Sequence, residues 1–541
     1  MVPAARFRLL AIGLAVWLAV VVGRLVQVSV LQHSRWQAEA SRQQEKSIEV
    51  EEPRGDIVSR DGRLLASSIE RVAIYANPSR IPRSQWRAVA DQLAPLTGVP
   101  APEILARFAE KDGFFYLAKD LDPGVSTAVD KLRQRGVGTL RNERRIYPHG
   151  SLAGSLLGFV DAQGVGQAGL ESTYERTLRG TPSVYRLLRD GKSLPTPLDL
   201  RLEKAGRAGL SLGLAVDSRV QALVEVELAR TLDAVGARRA TAVVMEPATG
   251  ELLALVSLPS YDPGRPGEVD AKERRNFAVE NALEPGSTFK PLIVAAALAE
   301  GVLGAKDIVD CSGGGVQIAN LFIRDHARYG WLPVRELLAK SSNAGAIRVA
   351  MRLSTAQLDG FIRRMGFGRR TGVELPGEAS GIYEERLDRW SAVSRASLGV
   401  GQEISVSALQ LAQAYAVLAN GGLLVHPTLV RETHDRDGQA VTPYHAAEPV
   451  RVLAPEVAAT VAEMLTAVVD EGTAIAAQLP GYRVAGKTGT AQKPVNGSYR
   501  AGLHAAWFAG FLPLSNPRLV IVICVDEPRT TFWAADVAVP A

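Results

Sequence analysis

The apolar run from Leu9 to Leu31 constrains this chain more than any other feature. It is broken only by Arg24, Gln27, Ser29 and glycine. At a rise of about 1.5 Å per residue, roughly twenty such residues cross the hydrocarbon of a bilayer. The spacing predicts a membrane-spanning helix over 9–31 with a cytoplasmic tail over 1–8. No small-residue A-x-A site follows directly, which argues for a retained anchor over a cleaved signal. Arg6 and Arg8 precede the run without an acidic residue, so the positive-inside rule puts the N-terminus in the cytoplasm. Everything after 31 is then extracytoplasmic or periplasmic, held at the cytoplasmic (inner) membrane by one pass. Arg24 has two readings of equal weight: snorkelling to the outer interface, or contact with a partner membrane helix.

A chain of 541 residues exceeds what one core organises, so two or three domains are expected. With 47% hydrophobic and 22% charged residues, the composition is that of a folded globular protein, and disorder is not the default reading. The net charge of +5 is spread out, and no basic run carries interleaved aromatics, so no nucleic-acid partner is expected. Cys311 and Cys524 form no CxxC, and the seven histidines form no HExxH, so neither a metal nor another cofactor is expected. Both cysteines read as small buried apolar side chains, and spacing leaves open whether they meet.

Past the anchor, Trp36 to Val50 is polar and suits a stalk. Turn chemistry at Pro53-Arg54-Gly55-Asp56 and Ser59-Arg60-Asp61-Gly62 surrounds short strands such as Arg71 to Tyr75. Amphipathic helices are predicted at Trp86 to Leu96 and Glu103 to Lys111. Lys192 to Arg207, charged and with two prolines, reads as an exposed loop. Beyond 212, a hairpin is predicted around Pro247-Ala248-Thr249-Gly250, with helices at Thr288 to Ala299, 334–351, 355–365, 405–420 and 455–471. Late strands follow at Tyr482 to Ala485, Ala505 to Leu512 and Leu519 to Val525. Strands at both ends with helices between predict an α+β domain whose sheet joins the two ends.

Three short motifs carry chemistry. Ser287-Thr288-Phe289-Lys290 is an SxxK, Ser341-Ser342-Asn343 an SxN, and Lys487-Thr488-Gly489-Thr490 a KTGT. Taken alone, Ser287 would read as a helix cap and the lysines as solvated charges. Glu284-Pro285-Gly286, however, breaks the chain just before Ser287, so the serine opens a helix and its N–H sits at the positive end of the dipole. Lys290 follows one turn later on the same face, where a serine nucleophile needs its base. Burial near a second cation, for which Lys487 is the candidate, would bring its pKa toward neutrality. Lys487 to Thr490 at the start of a strand offers an ammonium, hydroxyls and free N–H groups to a terminal carboxylate and an extended peptide. Ser341 supplies a relay hydroxyl, and the Asn343 amide both donates and accepts.

The three motifs in this order resemble penicillin-binding proteins and serine β-lactamases. The flanks Asn281 to Pro291 and Val484 to Lys493 are similar to class B penicillin-binding proteins, the monofunctional peptidoglycan D,D-transpeptidases. Arg54-Gly55-Asp56-Ile57, Gly169-Leu170-Glu171 and Leu178-Arg179-Gly180 resemble that family's N-terminal pedestal. Gly399-Val400-Gly401 with Leu409 to Tyr415 is most similar to the division-specific branch. The resemblance implies an α+β penicillin-binding transpeptidase fold, an antiparallel sheet flanked by helices, over 213–541, and an elongated α/β pedestal of the dimerisation type over 32–212.

It also implies roles. Ser287 would attack the bond between the two terminal D-alanines of a stem peptide, Lys290 would take its proton, and Ser341 would help protonate the leaving D-alanine. Asn343 would hold the donor peptide. Lys487, Thr488, Gly489 and Thr490 would bind its carboxylate end, and the N–H groups of Ser287 and Thr490 would form the oxyanion hole. The partners implied are stem peptides ending in D-Ala-D-Ala, β-lactam antibiotics, and a SEDS-type glycosyltransferase with other divisome membrane proteins. Three positions depart from the pattern: Ser59 stands where the pedestal motif has Asp, Ala506-Trp507-Phe508 replaces smaller residues, and relatives usually continue past an end like Val539 to Ala541 into a helix on the sheet. The alternatives are an elongation-type transpeptidase and a β-lactam-binding scaffold or sensor. A secreted β-lactamase is disfavoured by the pedestal and the lack of an ExxLN signature, and a bifunctional enzyme by the lack of glycosyltransferase motifs in 32–212.

Overall fold

The computed structural model describes residues 4–32, 45–111, 113–188, 200–319, 321–443, 447–495 and 498–541. The N-terminal run forms a helix from Ala4 to Val26 that continues as a π-helical turn, Gln27–Leu31. Its stretch Leu9–Val30 is long and apolar enough to cross a membrane. Arg24 Nη1 donates to Gln27 Oε1 at 2.9 Å, so the charge meets a partner one turn along its own helix.

The chain divides into two compact units. The smaller contains an antiparallel ladder of Glu45–Val50, Ser183–Leu188 and Leu200–Lys204. The expected stalk from Trp36 thus becomes a strand at Glu45, and residues 36–44 lie outside the described residues. Likewise the expected loop from Lys192 ends in a strand, with 192–199 outside the described residues. Leu200 and Leu202 alternate with charged neighbours, a period-two pattern that the local charge density hides.

In the larger unit, the strand Leu64–Ala76 lies between Phe115–Leu121 and Val137–Ile146. The helices Trp86–Thr97 and Ala101–Glu110 cover it, packing Val89, Leu93, Ile104 and Phe108 into one apolar cluster. Arg54 leaves the predicted turn to become an ion-pair hub. Its Nε donates to Glu171 Oε2 at 2.7 Å and its Nη1 to Glu175 Oε2 at 2.7 Å. Arg145 Nε reaches the other Glu171 oxygen at 2.7 Å, and its Nη1 holds the Gly55 carbonyl at 2.7 Å. Glu171 has no exposed surface, and its charge is met by these two guanidiniums together with the Tyr147 hydroxyl, which donates to Oε1 at 3.3 Å. Ser59 also closes its turn: its hydroxyl donates to Asp61 at 2.7 Å and accepts the Arg63 N–H at 3.0 Å.

Residue 212 sits inside a strand. Ser211–Leu214 pairs in parallel with Ile57–Val58 and antiparallel with Val430–His434, so one sheet runs through the expected pedestal boundary. The C-terminal part is built on a five-stranded antiparallel sheet in the order Leu252–Leu258, Arg239–Met245, Leu519–Asp526, Ser498–Leu512, Ala485–Val495. It joins an early hairpin to the late strands, as the α+β pattern predicts. The helix Ala408–Ala419 is buried at every residue, which explains why its pattern lacks a polar face. The predicted late strand Tyr482 to Ala485 begins instead at Ala485 and runs through the KTGT to Val495.

Removing the shared carboxylate of the hub leaves the buried Arg145 guanidinium with no carboxylate among the described residues and Arg54 with Glu175 alone. Glu171→Ala is expected to lower the stability of this unit by about 3–5 kcal/mol. Denaturant unfolding, with proteolysis of residues 54–178 as a local probe, checks it.

Candidate active site

Gly286 adopts a left-handed φ of 55° directly after Pro285. A 3-10 turn, Gly286–Phe289, follows and feeds the helix Lys290–Ala299. Ser287 therefore sits in a tight turn rather than in the first α-helical turn expected from its sequence. Thr288 Oγ1 donates to the Pro285 carbonyl at 2.7 Å, and the buried Tyr415 hydroxyl holds the Thr288 carbonyl at 2.8 Å. Gly401 approaches so closely that a Cβ there would lie 2.1 Å from the Gly286 carbonyl oxygen. The turn is thus fixed from both sides. Ser287 is half-buried, and Lys290 is buried completely.

The helical pattern expected over 334–351 is split in two, Val334–Ala339 and Asn343–Arg352. The break is the SxN itself: Ser341 has φ 56°, a left-handed conformation that costs a β-substituted residue energy and marks functional sites. Ser342 then caps the second helix, accepting the Gly345 N–H at 3.0 Å. Asp325 secures the same helix start. It accepts the Ser342 hydroxyl at 2.9 Å, the Asn343 N–H, and the Ala344 N–H at 3.3 Å. Asn343 Nδ2 donates to the Arg324 carbonyl at 2.6 Å, which aims its Oδ1 the other way.

That oxygen meets Lys290. The lysine amine donates to Asn343 Oδ1 at 2.7 Å, to the Ser341 carbonyl at 2.6 Å and to Ser341 Oγ at 3.3 Å. Among the described residues its hydrogen bonds all go to the SxN and none to Ser287. Burial holds Lys290 down to about 7, against the opposing pull of Asp325 and Cys311. The amine is therefore balanced between acid and base near neutrality.

The KTGT forms the edge strand of the central sheet. A Cβ on Gly489 would lie 2.6 Å from the Pro285 carbonyl oxygen and 2.9 Å from Thr288 Cγ2, so the strand lies directly against the Ser287 turn. Lys487 is fully buried and donates to the Thr488 carbonyl at 3.1 Å. Burial pushes it well below the ordinary lysine range, and the charge of Lys290 adds to the shift. Lys290 thus owes its neutrality to burial first, and the like-charge effect falls on Lys487.

Two partners of this strand were not foreseen. Thr473 Oγ1 lies 2.6 Å from Thr488 Oγ1, and the Ala534 N–H donates to Thr490 Oγ1 at 3.1 Å. Next to Ala534, the Trp533 ring meets His326 edge-on at 5.3 Å, and burial with both lysine charges lowers the His326 pKa. Trp507, opposite Gly489 in the ladder, is buried among Arg239, Phe277, Leu283 and Ala408. Cys311 and Cys524 are both free and buried, each thiol pushed up by burial. Cys311 Sγ lies where a Cβ on Gly345 would come within 2.6 Å.

The structure therefore brings SxxK, SxN and KTGT together from segments some 50 and 200 residues apart. Such a set can bind a carboxylate-ended peptide, deprotonate a hydroxyl and relay the proton.

Residues 240–541 match the family described as penicillin binding protein transpeptidase domain, and residues 49–194 match the penicillin-binding protein dimerisation domain. A probable peptidoglycan D,D-transpeptidase, PenA, of Neisseria meningitidis is 33% identical over 88% of this chain and 80% of its own length. The peptidoglycan D,D-transpeptidase FtsI of Escherichia coli is 30% identical over 99% of this chain and 90% of its own. Among solved structures, penicillin binding protein 3 of Mycobacterium tuberculosis complexed with aztreonam superposes with a TM-score of 0.71 at 27% identity, covering 91% of this chain and 95% of that one.

The fit of Gly489 against Pro285 and Thr288 leaves no room for a methyl group. Gly489→Ala is expected to destabilise by about 1–3 kcal/mol through overpacking. Thermal unfolding of the variant beside the unaltered chain checks it.

Proposed function

The chain belongs to the class B penicillin-binding proteins and is a peptidoglycan D,D-transpeptidase, and we propose that it cross-links stem peptides through an acyl-enzyme on Ser287 in septal wall synthesis. One observation carries the site reading: a buried lysine amine, held near pH 7, whose acceptors are the Ser341 and Asn343 groups of a second motif. A lysine so placed is a base at physiological pH without a histidine.

On this reading the Ser287 hydroxyl adds to the carbonyl carbon between the terminal D-alanines while its proton passes to Lys290 Nζ. The N–H groups of Ser287 and Thr490 take the developing oxyanion. The C–N bond breaks, and the departing D-alanine nitrogen receives the proton from Lys290 by way of the Ser341 hydroxyl. The amine of a neighbouring stem peptide then adds to the ester, gives up a proton along the reverse route, and displaces Ser287 Oγ. Asn343 orients the donor peptide. Lys487, Thr488, Gly489 and Thr490 take its carboxylate end, with Thr473 and the Ala534 N–H fixing the two threonine hydroxyls.

Members of this family bind β-lactams, which acylate the same serine on this reading. The N-terminal helix suits a single membrane anchor. We place its N-terminus in the cytoplasm because Arg6 and Arg8 precede it, and the pedestal over 32–212 and transpeptidase over 213–541 outside. A SEDS-type glycosyltransferase and other divisome membrane proteins are the partners this arrangement needs, since the chain carries no recognisable polymerase motif.

Labelling with a fluorescent penicillin tests the nucleophile: the unaltered chain is expected to hold a persistent adduct and Ser287→Ala none. Equal labelling of the two would overturn the assignment, and rapid loss of label would point to a β-lactamase. The pH dependence follows from Lys290. Below about 7 the amine is protonated and cannot accept the serine proton, so the acylation rate falls about tenfold per unit on the acid side. The Asp325 carboxylate favours the charged amine, so Asp325→Asn is expected to move that acid limb to lower pH. An unmoved limb would remove Lys290 as the titrating base.

A further inference from the structure

The two walls of the site also touch outside the motifs. On the KTGT side, the irregular chain after Leu519–Asp526 lays Phe532 on the His504 ring, with centroids 4.3 Å apart and planes 14° from parallel. Trp533 follows at 5.0 Å from Phe532, and Ala534 after it donates its N–H to Thr490 Oγ1 at 3.1 Å. Trp533 is thus tied to the strand that carries Lys487 to Thr490. On the SxN side, His326 directly follows Asp325, whose carboxylate secures Ser342, Asn343 and Ala344. The Asp325 N–H donates to the Gly314 carbonyl at 3.0 Å, so the chain at His326 is held by its neighbour.

The rings of His326 and Trp533 meet edge-on at 5.3 Å, and this contact joins the two walls. It lies over the working gap, because the charges of both Lys290 and Lys487 reach the imidazole. Among the described residues neither the imidazole nor the Trp533 indole makes a hydrogen bond, and both residues are exposed at the surface. An edge-to-face ring pair alone is worth about a factor of two to ten in an equilibrium. Such a contact holds two walls together yet gives way to a ligand that makes several hydrogen bonds.

We infer that the His326–Trp533 contact is a latch across the mouth of the acyl-transfer site, which parts to admit a carboxylate-ended peptide or a β-lactam to Ser287. The inference rests on the site reading above, in which the donor peptide lies as an added strand along Lys487 to Thr490 and is held by Asn343. A strand in that position runs between the two walls, through the gap that the ring pair spans. Opening then precedes acylation, and the latched fraction lowers the acylation rate in proportion.

The test is the rate of fluorescent-penicillin labelling of the full chain. In His326→Cys/Trp533→Cys, dibromobimane bridges the two introduced thiols, while the native Cys311 and Cys524 are buried away from it. The bridged chain is expected to label at least about tenfold more slowly than the same variant unbridged. His326→Ala and Trp533→Ala are each expected to label about two- to tenfold faster than the unaltered chain. His326→Phe, which keeps a ring edge toward Trp533, is expected to return the rate to within about twofold of the unaltered value. Should Trp533→Ala fold poorly, His326→Ala carries the same expectation from the opposite wall. A bridged chain that labels at the unbridged rate overturns the latch. Alanine variants with unchanged rates overturn it too, and lowered rates would make the rings ligand contacts instead. Label that persists on Ser287→Ala overturns the site reading and the latch with it. A Ser287-dependent label that enters the bridged chain at full rate overturns the latch alone.

Discussion

A lysine amine with no exposed surface must be met by acceptors, and the arrangement of the site follows from that requirement. Lys290 finds two of them in the Ser341 carbonyl and the Asn343 amide oxygen. Presenting both to one nitrogen needs the chain at Ser341 to leave helical geometry, which it does with a left-handed φ. The N–H groups released at the new helix start then need acceptors of their own, and Asp325 and Ser342 supply them. One buried base thus accounts for a strained serine, a divided helix and a carboxylate from another segment.

The pedestal repeats the principle without the chemistry. Glu171 is as deeply buried as Lys290, and its partners Arg54 and Arg145 come from far along the chain. Replacing such a triad by apolar side chains often leaves stability unchanged, whereas removing one member does not. Its effect is to fix which segments meet. In both places buried charge specifies register, and close backbone approaches at Gly401 and Gly489 set the spacing.

The motifs were legible because their chemistry resides in residue type and order. Ser287, Lys290, Ser341, Asn343 and Lys487 could be named from spacing and family resemblance, and the hairpin from the turn chemistry of Pro247 to Gly250. What stayed hidden depends on three-dimensional approach. Asp325 and Thr473 belong to no motif, and the Ala534 contact uses a backbone N–H that carries no side-chain signature. The 334–351 helix read as continuous because apolar spacing persists through a break made by one backbone angle. Leu200–Lys204 read as a loop because charge outweighed alternation. Arg54 read as part of a turn, since nothing local shows that its partners lie at 171 and 175.

The strand Ser211–Leu214 has a consequence for how the chain is made. It pairs with Ile57–Val58 on one side and with Val430–His434 on the other. Some two hundred residues separate its own emergence from that of its second neighbour. At 5–20 residues per second, roughly ten to forty seconds pass with that edge unpaired. An open edge invites wrong partners for as long as it lasts. Biogenesis of this protein therefore holds an interval of open pairing that the finished fold no longer displays.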